Sequence, residues 1–530
     1  RCRGGAPAVS VAVPDAQRRL VERLHQRLLE QAHGHGVERI ETHLSWVLVT
    51  PTEAFKVKKA VDLGFVDQRG REARRQACET EVRLNRRTAP SLYLGVRGID
   101  ASGQWVLPDD RQAVEHAVHM RRFDPAATLD RLLAPGGGVS AKVAEAWVDQ
   151  LVDQVVAMHA QARHVTHGGL IDDLRRATHE THASWRAVCD GPEQWDRVDS
   201  VLHAIAEREQ AMDGQCRQRR SDGFVRECHG DLHLGNVCVF EGQVTVFDAI
   251  DFCEPLRTLD VMNDLAFVLM DLLVRDQPQL AWRALSRYLD ATGDHAGVPL
   301  LAPAMAWRAL VRFKVARLTG GPEADAWAER YLSGAIRFLS PRQPVLVAMQ
   351  GVSGSGKSAV SQRLLAWLGA IRLRSDVERH RLHNVNEPNG YSTEARDLVY
   401  DALFDRAEGL LRAGHRVVLD ATFLHLDQRE RVRELAERLQ VPWAWVQCEA
   451  PVEVMLARLA ARQGDASEAD GRVLMQQLAV FPKPFGEDEQ PRLMHVSTTL
   501  PLSHWDAPAS WLPLWRLLGL SPPQPDQAPV

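Results

Sequence analysis

The chain has 530 residues, 45% of them hydrophobic and 25% charged, with a formal net charge of −5. That is the composition of a globular protein of two to four domains, because a single core stops growing near ~250–300 residues. It argues against a broadly basic, nucleic-acid-coating surface. No apolar run reaches the ~18 residues that a membrane helix needs, so no membrane partner is expected.

Residues 1–20 have a basic start but only a short, broken apolar stretch, and no signal peptide is expected. Residues 15–36 read as an amphipathic helix, followed by strands at 44–50 and 54–61 and a long helix over 70–88. A further strand pattern lies at 114–120, and helical periodicity dominates 126–215. Residues 225–252 read as short strands around polar loops, and helices resume from 259 to 338. Residues 1–340 are thus expected to form one two-lobed α+β module, β-rich at first and then helical. Residues 340–344 (SPRQP) read as a linker. Beyond it, strands at 345–349, 371–373, 417–420 and 443–448 alternate with helices. This predicts an α/β module over 344–520 with a mostly parallel sheet. The Pro-rich tail 521–530 is expected to be disordered.

Eight cysteines are scattered without a CxxC pair. They suit free thiols in a reducing, cytoplasmic setting better than disulfides or zinc. His33, His35 and His43 lack metal spacing and read as exposed surface.

Residues 351–358 read GVSGSGKS between an apolar strand and a helix, the GxxxxGKS pattern of a phosphate-binding loop. Gly351, Ser353, Gly354, Ser355 and Gly356 supply backbone N–H groups that can surround phosphates at a helix N-terminus. Lys357 reaches the β- and γ-phosphates of ATP, and Ser358 offers a hydroxyl to Mg²⁺. Asp420, at the C-terminal end of VVLD, lies where a second magnesium ligand belongs. Asp376, in Arg374-Ser375-Asp376, is expected at the same sheet edge, where it can accept a proton from an acceptor hydroxyl. Arg379 and Arg381 follow as candidates to hold an acceptor phosphate or carboxylate. Arg458 and Arg462 share a helix face and are expected to act as a lid over the phosphoryl group. These residues make 344–520 resemble the P-loop kinases grouped with polynucleotide kinase, gluconate kinase and chloramphenicol phosphotransferase.

A second constellation lies upstream, in Cys228-His229-Gly230-Asp231-Leu232-His233-Leu234-Gly235-Asn236 and the later Asp248. Asp231 and Asn236 have the D-x-x-x-x-N spacing of a kinase catalytic loop, and Asp248 falls after a short β pattern. HGDLHLGN with Phe247-Asp248 resembles the aminoglycoside phosphotransferase family. The resemblance implies that Asp231 is the catalytic base, that Asn236 and Asp248 bind magnesium, and that His229 braces the loop. It further implies a structural role for Asp264, and Met158-His159-Ala160 resembles the family's LHA on the helix that precedes the loop. It places the nucleotide lysine at Lys56 or Lys58, paired with Glu81. With both modules in this order, the chain resembles bacterial bifunctional aminoglycoside phosphotransferase/ATP-binding proteins.

The expected activity is therefore tandem ATP-dependent phosphotransfer. The first module would act on a hydroxyl of a small molecule, the second on a small molecule or on a 5′-hydroxyl end of nucleic acid. The alternative is an ATP-sensing regulatory protein in which one module binds nucleotide without an acceptor. The oligomeric state and the acceptors are not readable from sequence.

Overall fold

The computed structural model describes residues 13–33, 35–62, 66–170, 172, 174, 182–382, 393–461, 469–480 and 485–522. The chain divides into two compact units. One comprises Arg1–Arg275 with Leu300–Leu339, the other Asp276–Pro299 with Ser340–Val530. The second unit thus takes in residues 276–299, which differs from a single division at 340.

The first unit begins with a six-stranded antiparallel sheet in the order β1-β2-β3-β6-β4-β5. Its strands are β1 (Glu38–Glu41), β2 (Ser45–Val49), β3 (Glu53–Lys58), β4 (Tyr93–Asp100), β5 (Trp105–Val106) and β6 (Ala113–Arg121). Alternation along β3 sends Phe55 and Val57 into a core with Trp46 and Leu48 of β2. Leu20, Val21, Leu24 and Leu28 of the helix Asp15–Gln31 close that core. The opposite face of β3 carries Lys56 and Lys58. Across this face runs the helix Arg71–Asn85, whose Cys78 and Val82 pack with Tyr93 and Val118. β4 was not anticipated from sequence. Its Gly95 and Gly98 dilute the strand signal, and its register with β6 shifts between Tyr93 and Gly95.

The rest of the unit is mainly helical and holds two antiparallel ribbons. β7 (Val225–Glu227) pairs with β10 (Thr258–Asp260), and β8 (Val237–Phe240) pairs with β9 (Gln243–Val246). The loop 228–236 joins β7 to β8, and Asp248 follows β9. Beneath the loop lies the helix Val261–Val274, every residue of which is buried.

The second unit is built on five strands in the order β12-β13-β11-β14-β15, all parallel. They are β11 (Leu346–Gln350), β12 (Ala370–Arg374), β13 (Arg416–Asp420), β14 (Trp443–Glu449) and β15 (Leu493–Ser497). The central β11 is buried throughout, as expected of a parallel sheet covered on both faces. β15 was missed in the sequence, being short and half exposed along its length. Among the described residues no helix is long and apolar enough to cross a membrane.

Candidate active sites

In the first unit, β3, the helix Arg71–Asn85 and the segment after β9 bring charges together. Lys56 Nζ lies 2.9 Å from Glu81 Oε1 and 2.8 Å from Asp248 Oδ1. Burial alone would lower the Lys56 pKa, but Asp248 and Glu81 outweigh it and raise the pKa well above the ordinary lysine value. Burial alone would raise the Asp248 pKa. The Lys56 ammonium instead holds its carboxyl below the usual value. Asp248 has φ +62°, a backbone state that is costly for a residue with a Cβ and is concentrated at functional sites. Its backbone N–H donates to the Tyr93 hydroxyl at 3.2 Å.

Lys58 shares the Lys56 face but points to different partners. It lies 2.5 Å from Glu81 Oε2 and 2.7 Å from Asp251 Oδ2. Of the two candidate lysines, Lys56 is therefore the one beside Asp248, and Lys58 props Glu81 from behind. Lys58, 3% exposed, is thus paired with two carboxylates, while Lys56 alone of the two reaches Asp248.

The loop 228–236 is held from below. Asp264 is fully buried, and it accepts the backbone N–H of His229 at 3.0 Å and that of Gly230 at 2.9 Å. His159 Nε2 meets the same carboxylate at 3.1 Å. His159, Cys228 and Asp264 come close enough to suggest a metal cluster, but both Asp264 oxygens already receive these donors. Burial lowers the His229 pKa. Its Nε2 faces the Phe247 carbonyl oxygen at 2.9 Å, and its Nδ1 accepts the Asp231 N–H at 3.3 Å.

Burial alone would raise the Asp231 pKa, but charge and hydrogen bonding from His233, with Arg312 and His229, hold it below the usual value. Asn236 Nδ2 donates to the Asp231 carbonyl at 2.9 Å and to Asp231 Oδ2 at 3.0 Å. Asp231, Asn236 and Asp248 thus present hard oxygen atoms, a donor set that suits Mg²⁺.

In the second unit the loop after β11 borders a cavity of about 920 Å³. Ser353, Gly354, Gly356, Lys357 and Ser358 line it, with Asp376, Arg379, Asp420 and Arg458. Gly354 has φ +78°, and a Cβ there would sit 2.8 Å from the Met455 carbonyl oxygen. Gly356 has φ +88° and caps the helix Lys357–Leu368. Lys357 Nζ donates to Val352 O at 2.9 Å. Ser361 Oγ donates to Asp420 Oδ2 at 3.1 Å. Gly351, Val352 and Ser355 form the rest of the loop and do not line the cavity.

Three expected residues stand elsewhere or lie outside view. Arg381 does not line the cavity. It pairs with Glu378 and donates to the Leu289 and Asp290 carbonyls at 3.3 and 2.9 Å. Two helical positions are ~200° apart, so Arg379 and Arg381 cannot face one site. Arg379 does line the cavity and pairs with Asp376 at 2.7 Å. Arg458 reaches Thr498 Oγ1 at 2.9 Å, Thr498 O at 2.6 Å and Gly354 O at 3.3 Å. It braces the loop from its rim. Arg462, the other expected lid residue, and residues 523–530 of the tail lie outside the described residues.

Several contributors were not singled out from sequence. Tyr93 and Asp251 complete the first cluster. In the second, Gln477 Oε1 accepts the Ser353 N–H at 2.7 Å, and Arg396 faces His425 across 3.1 Å. Their partners lie 29 or more residues away, so no local pattern signals them. Asp251 alone left a trace, in the acidic run after Asp248.

Comparison with known proteins matches residues 73–302 to the phosphotransferase enzyme family and residues 346–484 to an AAA-domain family. An uncharacterized protein of Mycobacterium tuberculosis (strain ATCC 25618 / H37Rv) is 30% identical over 449 residues, covering 82% of this chain and 88% of its own. One from Mycobacterium bovis (strain ATCC BAA-935 / AF2122/97) matches to the same extent. Among solved structures, a gluconokinase from Sinorhizobium meliloti 1021 is 24% identical, covering 34% of this chain and 95% of its own, with a TM-score of 0.28. A choline/ethanolamine kinase family protein from Mesorhizobium loti is 11% identical, covering 61% and 95%, with a TM-score of 0.36.

Proposed function

Since the chain is a phosphotransferase that belongs to one family with these mycobacterial proteins, with a phosphotransferase-enzyme domain followed by a P-loop kinase domain, we propose that each module moves the γ-phosphoryl group of ATP to a hydroxyl. In the first module the acceptor is a small molecule. Its oxygen forms a bond to the γ-phosphorus while the bond from that phosphorus to the β–γ bridging oxygen breaks. The hydroxyl proton passes to Asp231, and ADP leaves. Lys56 binds the ATP phosphates and Glu81 fixes its position. Asn236 and Asp248 would hold Mg²⁺, which when bound neutralises phosphate charge. Asp264 and His229 keep Asp231 in place. The single observation that carries this reading is that Lys56 Nζ lies between two carboxylates, 2.9 Å from Glu81 Oε1 and 2.8 Å from Asp248 Oδ1.

In the second module the backbone N–H groups of 351–358 and Lys357 bind the phosphates, and Ser358 and Asp420 would hold Mg²⁺. Asp376 receives the acceptor proton, and Arg379 beside it holds an anionic group of the acceptor. The cavity falls within the ~300–1,000 Å³ range of small-ligand sites, which favours a small molecule over a 5′-hydroxyl end of nucleic acid. The two compact units act as the functional modules, with residues 276–299 belonging to the second.

The test is phosphoryl transfer from radiolabelled ATP to a panel of metabolites and oligonucleotides, using the chain, Asp231→Ala and Lys357→Ala. Each variant is expected to lose a different labelled product. If neither variant loses any product while ATP still binds, the two-kinase reading fails. If Lys357→Ala alone removes transfer, the first module is an ATP-sensing regulatory unit.

A further inference from the structure

Residues 276–299 precede the linker, yet they fold with the P-loop unit. The helix Pro278–Thr292 buries Leu285 and Tyr288, and its Trp282 packs against the core that contains Leu364 and Leu368. Its last turn delivers Asp290 to β12. There the carboxylate lies 3.3 Å from Arg374 Nη1 and 3.6 Å from Arg372 Nη2.

Both arginines adjoin Asp420. Arg374 Nε is 3.9 Å from Asp420 Oδ2. Arg372 Nη1 donates to Ser358 O at 3.2 Å and to Ser361 Oγ at 3.3 Å, and Ser361 Oγ in turn donates to Asp420. The four charged side chains are 3–19% exposed, so solvent screens them poorly. Two positive and two negative charges balance as long as Asp290 is present.

We propose that Asp290 is a positioning residue for cation binding at the P-loop. It offsets Arg372 and Arg374, so that the Asp420 carboxylate stays available to Mg²⁺ and is not drawn into a full ion pair with Arg374. The proposal rests on the reading of Asp420 as a magnesium ligand. Groups that orient a metal ligand typically change metal affinity by ~10–100-fold when removed. Without Asp290 the remaining three groups carry one excess positive charge against the incoming dication.

The test uses the full chain and a fluorescent ATP analogue, with binding followed as Mg²⁺ is titrated. The P-loop signal is the part of the binding that Lys357→Ala removes. Asp290→Asn is expected to raise the half-saturating Mg²⁺ concentration about tenfold or more. Asp290→Glu is expected to restore it. The double variant Asp290→Asn/Arg374→Gln, which rebalances charge without restoring the contact, is also expected to restore most of it. A purely structural role for Asp290 would leave the double variant as impaired as the single one, and that result overturns the proposal. So does an Asp290→Asn requirement within twofold of the parent. If Lys357→Ala removes no signal, it is the P-loop reading itself that fails. Thermal melting without nucleotide confirms that the variants compared are folded.

Discussion

Asp264 lies beneath the loop that carries Asp231, and replacing it by Ala tests whether that loop depends on one buried carboxylate. The side chain receives three donors: the N–H of His229 at 3.0 Å, the N–H of Gly230 at 2.9 Å and His159 Nε2 at 3.1 Å. A hydrogen bond to a charged group contributes about 1.5–3 kcal/mol, so the three sum to roughly 4.5–9 kcal/mol. Water entering the space vacated by the carboxylate can re-pair part of this, which leaves a net loss of about 3–4 kcal/mol. That is a large share of the ~5–15 kcal/mol that a domain has. Because a chain with two units need not unfold in one step, the readout is local. Hydrogen exchange of a peptide spanning 226–240 is expected to speed up by ~100-fold or more, at 1.4 kcal/mol per factor of ten. Peptides from β11 and the helix Lys357–Leu368 should not change.

The same carboxylate makes a pH prediction. Burial alone would raise its pKa, but bonding and charge from His159, with His229, outweigh it and hold the pKa well below the ordinary carboxylate value. The folded value is thus lower than the unfolded one. The stabilisation is complete above the unfolded pKa of ~3.9 and is lost as pH falls through the folded value. Loop opening in the parent chain should therefore increase below pH ~4, and Asp264→Asn should weaken that dependence, leaving the part set by Asp231 and Glu227. If Asp264→Ala leaves exchange in 228–236 within threefold of the parent, the loop is held by something else and this reasoning is wrong.

Glu227 offers a second acid-sensitive anchor. Burial opposes its ionisation, yet Arg83 at 2.9 Å and Arg257 at 3.1 Å lower its pKa to about 2. Its contribution should be complete above pH 4.5 and fade towards pH 2, so acid unfolding of Glu227→Gln should be flatter over that window than that of the parent. Gly354→Ala forces a Cβ to within 2.8 Å of Met455 O at φ +78°. The left-handed backbone alone costs ~1–2 kcal/mol, so nucleotide binding at the P-loop should weaken about tenfold or more. Calorimetry should show the first module's nucleotide binding unchanged.

Much of this architecture was legible because its signals are local. GVSGSGKS holds strand end, loop and helix start within a few residues, and the parallel sheet follows from apolar runs alternating with helices. HGDLHLGN marks the second constellation for the same reason. Where alternatives stayed open, the deciding contacts are distant. Lys56 and Lys58 share a face of β3, and what separates them is Asp248 against Asp251, some 190 residues later. Arg379 and Arg381 look alike in a run of charges, and only helix phase tells them apart. β4 was hidden by its glycines, and the helix Pro278–Thr292 gives no sign in sequence of which unit its apolar face will join.

The two candidate sites meet the same chemical demand by opposite routes, and this bears on how each can fail. The P-loop collects its phosphate-binding groups from eight consecutive residues between strand β11 and one helix. The cluster around Lys56 is assembled from pieces 25 and 192 residues apart in sequence, and it exists only when the sheet, the helix Arg71–Asn85 and the ribbon β8–β9 are all docked. Loop-closure entropy must be met before such contacts form. Destabilising changes anywhere in the first unit, Asp264→Ala among them, should therefore erode its site early. The P-loop should keep its backbone cradle under the same stress. On that side the distant dependence lies in what surrounds the loop: Gln477 and Arg458 brace Ser353 and Gly354, and the charge environment of Asp420 reaches to Asp290 on the helix Pro278–Thr292.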